Sequence, residues 1–325
     1  ASCSAQMMPK DAVLFPSRAP IGYVAIASQS VCTNQGFKSI VVNEKADPLF
    51  VYYLLKYNKD AIEAMGSGTT FKEVSGKTMR AVKVRIPVDV SYQKRIAAVL
   101  DSLDTKIENS ERINDNLQQQ AAALFSSLYD RTNTEVRFTD LIQILGGGTP
   151  KTGENTYWNG NIAFFTPKDV GTPYTLITEK TITEEGLSHC NSRLYPVNTV
   201  FVTARGTVGK VGMSGVPMAM NQSCYALVGK ETHQLLVYFY TLKTVDRLKH
   251  KASGAVFDAI TTRDFESEQI MKLSDDDAKA FLCIAEPMFQ KVLNNCIENL
   301  RLSTLRDSLL PKLMSGEIDV SAVQL

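Results

Sequence analysis

The sequence predicts an α+β fold of two related domains, each followed by one long helix, and three observations predict it. The first is an internal repeat. The stretch from Met8 to Val42 lies over the stretch from Tyr195 to Gly229 at a constant offset of 187. Pro9 meets Pro196, Val13 meets Val200, Arg18 meets Arg205, Gly22 meets Gly209, Val24 meets Val211, and Asn34-Gln35 meets Asn221-Gln222. Further on, Ser67-Gly68 and Phe71 meet Ser253-Gly254 and Phe257 at offset 186. The second observation is short β-branched runs bounded by Gly, Pro, Asn and Ser in both copies, which are strand and turn signals. The third is a pair of apolar seams with steps of four and three, one after each copy, which are long-helix signals.

The elements follow in order. In the first copy Ala12–Phe15 and Gly22–Ala27 read as strands and Leu49–Met65 as a helix. A seam then runs through Ile96, Leu100, Leu103, Ile107, Ser110, Asn114, Leu117, Ala121, Leu124 and Leu128. In the second copy Thr199–Thr203 and Val208–Met213 read as strands and Gln234–Lys251 as a helix. The second seam runs through Phe281, Ala285, Met288, Val292, Asn295, Asn299, Leu302, Arg306, Leu309 and Leu313, at offset 185 from the first. A 3.5-residue period held for more than four heptads means a helix packed on another along its length; roughly 33 residues give a rod on the order of 50 Å. Pro287 is expected one turn into the second helix or at its start, and Pro311 is expected to kink or end it. Ser110 and Asn114 share seam positions with Asn295 and Asn299. Buried polar groups there would fix register and partner; the alternative is that they face solvent where the helices splay.

Charge and cysteine usage restrict the function classes. The formal net charge of +1 argues against a DNA-coating protein. Lys and Arg against Asp and Glu number 11 to 7 in residues 1–92, 4 to 6 in 93–130, 15 to 13 in 131–273 and 5 to 8 in 274–325. Mildly basic and acidic segments therefore alternate, as in a chain that touches nucleic acid with some parts and protein with others. The six cysteines form no CxxC pair and the three histidines are scattered, so no metal centre and no cofactor is expected. Apolar stretches are short, no secretory signal is visible, and a reduced, cytoplasmic protein without a membrane partner is expected. Ser75-Gly76-Lys77-Thr78 fails as a phosphate loop because Phe71 stands where its first glycine belongs, and Gly206–Lys210 fails because Val211 follows the lysine. His189, His233 and His250 lack any triad context, so no catalytic residue is assigned.

The pieces Pro87–Leu117 (PVDVSYQKRIAAVLDSLDTKIENSERINDNL) and Leu305–Ile318 (LRDSLLPKLMSGEI) resemble the specificity subunit of type I restriction–modification systems. So do Gly146–Pro150 with Tyr157–Val170 (YWNGNIAFFTPKDV) and the two Arg…Gly…Asn-Gln blocks. The resemblance covers nearly the whole chain. It implies two target-recognition domains, each reading half of a split site in double-stranded DNA, joined by two antiparallel helices in a coiled coil with pseudo-two-fold symmetry. It implies docking of two methyltransferase subunits and of restriction subunits, which hold the catalytic sites. On this reading residues 1–90 are a partial first target-recognition domain, 91–131 the central helix, 132–273 the second target-recognition domain and 274–325 the C-terminal helix. The counterpart of Phe138–Leu187 is missing from the first copy, so that domain is expected to be N-terminally incomplete. A non-enzymatic coiled-coil scaffold, or a truncated or rearranged cassette with one working DNA-reading domain, is the alternative.

The candidate DNA-contacting residues are Thr149 and Lys151 at the glycine-rich loop, then Tyr157, Lys168 and Arg205, with Arg18, Thr70 and Lys72 in the first copy. A glycine-rich loop lets backbone approach phosphate, and Lys and Arg supply charge or bidentate contacts to guanine; an ordinary tight turn at Gly146–Gly148 is the alternative. Residues shared by two domains that read different half-sites serve the fold or the phosphates rather than the bases. Arg18 and Arg205 are therefore assigned to phosphate or structure, and the Asn-Gln pairs to satisfying backbone groups. The turn at Ser67–Lys72 is basic and hydroxylated (Thr69, Thr70, Lys72), whereas Ser253–Asp258 is apolar and acidic (Ala255, Val256, Asp258). Specificity needs such divergence, and loop drift also produces it.

Overall fold

A computed structural model describes residues 6–18, 20–68, 72–251 and 259–323. Thr70 and the turn from Ser253 to Asp258 lie outside the described residues. The chain forms two compact units: Ala1–Asn109 with Asn299–Leu325, and Ser110–Glu298.

In the first unit, β1 (Met7–Met8) and β2 (Val13–Leu14) are followed by β3 (Ala25–Ile26) and β4 (Val31–Cys32). β1 pairs with β4 and β2 with β3, both antiparallel, and the bridges Val13–Ile40 and Pro16–Phe37 extend the second pair. Helix α1 (Pro48–Tyr57) starts where Asp47 accepts a hydrogen bond from Phe50 N at 2.9 Å and Pro48 supplies a preset φ. The sequence predicts one helix over 49–65, but α1 stops at Asn58 and α2 (Lys59–Ala64) follows. The break is slight: at Asn58 the backbone turns to φ −91° and ψ 6°, and its side-chain amide donates to Leu54 O at 2.7 Å beside the backbone N–H. Ser75 caps α3 (Gly76–Ala81) by accepting from Thr78 N. Val13, Phe15, Ile21, Leu55, Ile62 and Val74 form one buried cluster.

Helix α4 (Val90–Tyr129) begins in this unit. Gln93 is fully buried there; its Oε1 accepts from Asp47 N at 2.9 Å and its Nε2 donates to Pro87 O at 2.7 Å, which ties the starts of α1 and α4 together. A second cluster packs Phe50, Tyr53, Ile96 and Leu100 with Leu309 and Leu313. Beside it Asp104 accepts from Tyr53 Oη at 2.9 Å and from Arg306 Nη1 at 2.5 Å.

The second unit holds the rest of α4, then β5 (Glu135–Arg137), α5 (Phe138–Leu141), β6 (Ile142–Gly146), β7 (Trp158–Phe165), β8 (Tyr174–Thr175) and β9 (Lys180–Ile182). It continues through α6 (Glu184–Ser188), β10 (Val200–Thr203), β11 (Val211–Ser214), β12 (Met218–Met220), β13 (Cys224–Gly229), α7 (Gln234–Lys251), α8 (Thr262–Glu266) and β14 (Gln269–Met271) to α9 (Asp275–Ser315). A five-stranded sheet has the order β6-β13-β10-β11-β8; β12-β7-β9 and β14-β5 form smaller sheets. Phe125 of α4, Phe239 and Tyr240 of α7 and Phe281 and Phe289 of α9 form an aromatic core, with Phe125 and Phe281 centroids 5.5 Å apart.

Helix α9 starts earlier and ends later than its prolines suggest. Ser274 Oγ accepts from Asp277 N at 3.1 Å, and three aspartates occupy the first turn, where the helix dipole favours them. Pro287 therefore lies well inside the helix, and its missing N–H is tolerated because Phe281, Ala285, Phe289 and Val292 are all buried around it. Pro311 does not end the helix either. Ser315 does, followed by Gly316 at φ 79°, a left-handed conformation suited to glycine.

The two units repeat one another in hydrogen-bond register. Val13 faces Ile26 and Ile40; Val200, 187 residues on, faces Met213 and Leu227. Pro16 faces Phe37 as Thr203 faces Cys224, and Arg18 faces Glu73 as Arg205 faces Ala259. Gly22 and Gly209 both have positive φ, 90° and 74°.

Candidate nucleic-acid interface

The glycine-rich loop belongs to a group of turns at one end of the five-stranded sheet. Gly148 N donates to Met220 O at 3.1 Å, and Thr149 Oγ1 donates to Gln222 Oε1. A Cβ on Gly147 would stand 2.2 Å from Asn221 O, and one on Gly148 would stand 2.6 Å from Asn191 N. Glycine is required there by close approach to this protein's own backbone, whereas Gly146 faces open space. Asn221 N donates to Phe165 O at 2.9 Å, and its Oδ1 accepts from Ser223 N at 3.0 Å. Ser223 O in turn accepts from Ala204 N and Arg205 N. The turn Asn221–Ser223 thus joins the loops that carry Thr149, Arg205 and, three residues past Phe165, Lys168. Asn34 Oδ1 accepts from Gly36 N at 2.8 Å in the same way, so both Asn side chains satisfy backbone groups.

Lys168 rides on a loop fixed from within. Asp169 accepts from Thr166 N, Thr166 Oγ1 and Glu179 N at 2.6–2.8 Å. The Lys168 side chain is 79% exposed, and its 3.6 Å pair with Glu179 is a screened surface contact that a phosphate can displace. Lys151 is exposed and its carbonyl accepts from Trp158 Nε1 at 3.3 Å. Tyr157 stacks on His189, with centroids 4.9 Å apart and planes 16° from parallel. Lys180 Nζ sits 5.5 Å from the Trp158 ring centroid. His189 and Lys180 join these residues only through tertiary contacts, and no motif in the sequence marks them; Gln222 belongs to the repeated Asn-Gln pair, but its contact with Thr149 is seen only in the fold.

The two repeated arginines differ. Arg18 Nε donates to Glu73 Oε2 at 3.2 Å, and Lys38 lies 3.7 Å from the same carboxylate. Ala259 stands at the place of Glu73 in the second unit, so Arg205 is exposed and has no acidic partner among the described residues. Lys72 is exposed. On the long helices Ser110, Asn114 and Asn295 are buried; Asn295 Nδ2 donates to Asn114 Oδ1 at 2.8 Å and Asn114 Nδ2 donates to Cys296 Sγ at 3.6 Å. Asn299 Oδ1 is buried with no hydrogen-bond partner among the described residues.

Among the described residues no three His, Cys, Asp or Glu side chains come together as a metal site. Burial pushes the Cys224 thiol up to about 12, away from the range of a reactive thiolate. Among the described residues no helix is long and apolar enough to cross a membrane.

A duplicated α+β module with cation-bearing turns at one end of a sheet, borne on two long helices, defines a class of nucleic-acid recognition protein. The sequence profile of the type I restriction modification DNA specificity domain matches residues 1–119 and again 131–272. The chain belongs to that family, and its role is DNA recognition rather than catalysis. It is 26% identical over 347 residues to the specificity subunit of type I restriction enzyme MjaIX from Methanocaldococcus jannaschii, covering 98% of this chain and 80% of the relative. It is 23% identical over 370 residues to the HindI specificity subunit from Haemophilus influenzae, covering 86% and 80%. The crystal structure of the type I restriction–modification S subunit from M. genitalium shares the fold with a TM-score of 0.63 at 18% identity, covering 95% of this chain and 84% of that one.

Proposed function

We propose that this subunit reads a bipartite DNA site, and that the second unit reads its half through the turns around Asn221–Ser223. The observation that carries this is that one turn joins the loop of Thr149, the loop of Arg205 and, through Phe165, the segment leading to Lys168, with Lys151 attached through Trp158. Arg205 and Lys168 supply charge for phosphates, and Tyr157 and Thr149 supply groups that reach base edges or sugars. Lys72 and the neighbouring Thr70 would serve the first half-site, whereas Arg18 is engaged by Glu73 and acts in structure. The long helices form an antiparallel coiled coil whose register Ser110, Asn114, Asn295 and Asn299 set, and the regions 1–90 and 132–273 are the two recognition regions. Segments 91–131 and 274–325, acidic on balance, present protein-docking faces to two methyltransferase subunits and to restriction subunits in the cytoplasm.

The test is affinity for cognate and scrambled duplexes across a salt series, with the methyltransferase subunit present, for Lys151→Ala and Lys168→Ala. Phosphate contacts predict equal weakening on both duplexes and a salt slope lower by about one ion each. Base contacts predict lost discrimination of about 1–3 kcal/mol at the base pair touched. Unchanged affinity, slope and discrimination in both variants would place the DNA face elsewhere.

A further inference from the structure

We infer that the turn 203–210 of the second unit, with Lys249 laid across it, is a cradle for one phosphate of the DNA backbone. This rests on the second unit being a DNA reader, and it adds Lys210, Lys249 and the turn backbone to that reading. The turn joins β10 to β11 and is closed from within. Gly209 N donates to Thr203 O at 2.9 Å, Lys210 N donates to Thr203 Oγ1 at 2.9 Å, and Thr203 N donates to Lys210 O at 3.0 Å. Thr203 Oγ1 also donates to Thr207 O. Gly206 and Gly209 take φ 80° and 74°, left-handed values that let the chain double back in so few residues. Val208 packs against the core, which leaves Arg205, Gly206, Thr207 and Lys210 exposed.

What the turn presents to solvent is mostly donors. Arg205 N is held by Ser223 O, but Gly206 N and Thr207 N donate to no described residue. Successive open N–H groups at a left-handed turn make a concave anion site. The Thr207 and Lys210 carbonyls, which would oppose an anion, are taken up by Thr203. Gly209 meets a second requirement. A Cβ there would stand 2.6 Å from Lys249 Cε and 3.4 Å from Lys249 Nζ, so the bare glycine lets the end of this α7 side chain lie on the turn. Arg205, Lys210 and Lys249 are all exposed, and none has an acidic partner among the described residues. Three like charges on one turn repel, and a phosphate held among them relieves that repulsion. A strand beginning at Val211 follows Lys210, so the turn suits a single phosphate rather than a nucleotide.

The first unit repeats the glycine and lysine but spends the charges otherwise. A Cβ on Gly22 would stand 2.5 Å from Lys59 Cγ, so a lysine crosses the equivalent glycine there too. Lys59 is not the counterpart of Lys249, which at offset 187 is Ile62; the same place is reached from a different position in the chain. A lysine stem on this glycine therefore belongs to the shared fold. Lys59 Nζ, however, lies 5.7 Å from the centroid of Tyr23, the residue that stands where Lys210 does, and Arg18 is engaged by Glu73. Only in the second unit are all three cations left for an anion.

The experiment uses the full chain with the methyltransferase subunit and measures affinity for cognate and scrambled duplexes across a salt series. Lys210→Gln and Lys249→Gln, both at exposed positions, should each weaken the two duplexes by the same factor and lower the salt slope by up to about one ion. The melting temperature of each variant should match the parent. Phosphates of the cognate duplex are then replaced one at a time by uncharged methylphosphonate. One position should cost the parent on the order of threefold in affinity and cost both variants much less, because the contact is already lost. Unchanged slopes in both variants overturn the cradle. If Lys151→Ala and Lys168→Ala still weaken binding in that case, the DNA face stands and the cradle alone falls; if all four are silent, both fall. Lost discrimination at an unchanged slope would make these lysines base contacts. Different methylphosphonate positions for the two lysines would make them separate contacts. Either result also overturns a single cradle.

Discussion

Replacing Asn295 by alanine tests whether the buried amide pair sets the register of the long helices. Asn295 is 2% exposed and Asn114 6%, and the 2.8 Å bond from Asn295 Nδ2 to Asn114 Oδ1 is the main polar contact either amide makes across the helices. The alanine leaves the Asn114 carbonyl oxygen desolvated and unpaired, which costs about 1–3 kcal/mol. Two to four degrees of melting temperature per kcal/mol is usual at about 200 residues, so a fall of about 2–12 °C is expected by calorimetry. The double variant Asn114→Leu/Asn295→Leu removes both polar groups and should recover most of that loss or exceed the parent stability. The non-additivity is the signature: a coupling of about 1 kcal/mol or more between the two positions. The double variant should also lose register control, seen as DNA binding that tolerates half-site spacings the parent rejects. A neutral single variant, or a double variant whose loss equals the sum of the singles, would refute the reasoning.

Two further predictions come from the same structure. Burial by itself would raise the Asp104 carboxyl, but hydrogen bonds from Arg306 and Tyr53 outweigh it and hold the group below its ordinary value. Its stabilisation is therefore complete above about pH 4, the unfolded value, and is lost as pH falls through the lower folded value. Denaturation midpoints between pH 6 and 2.5 should show this loss, and Arg306→Met should reduce it while Tyr53 and Lys56 remain beside the carboxylate. Gly147→Ala places a Cβ 2.2 Å from Asn221 O and should cost about 1–3 kcal/mol in thermal denaturation with weaker DNA binding, whereas Gly146→Ala, which meets nothing within 4 Å, should bind as the parent does. Equal behaviour of the two glycine variants would show that the loop is not packed as described.

The repeat was legible in the sequence because it is an ungapped offset, and its structural meaning is a shared ladder: Val13 with Ile26 and Ile40, Val200 with Met213 and Leu227. The long helices were legible for a similar reason, since a seam such as Ile96–Leu100–Leu103–Ile107 reports its period locally. The continuity of α9 through its prolines was not. Pro287 and Pro311 signal breaks by local rules, but buried neighbours and the Ser274 cap carry α9 through both.

The candidate site divides the same way. Residue type and position marked Lys151, Tyr157 and Lys168, which lie at or after a glycine-rich loop, and the repeat marked Arg205. Whether each is free to act was decided by partners far away in the chain. Arg18 is occupied by Glu73, 55 residues on, whereas its twin Arg205 meets Ala259. Gly147 and Gly148 are small because Asn221 and Asn191 pass behind them, a crowding that no local pattern records. Sequence determines what depends on neighbours along the chain: period, turn chemistry and internal duplication. Tertiary structure decides what depends on neighbours in space, namely which charges are neutralised, which glycines are crowded and which apolar surfaces are left open.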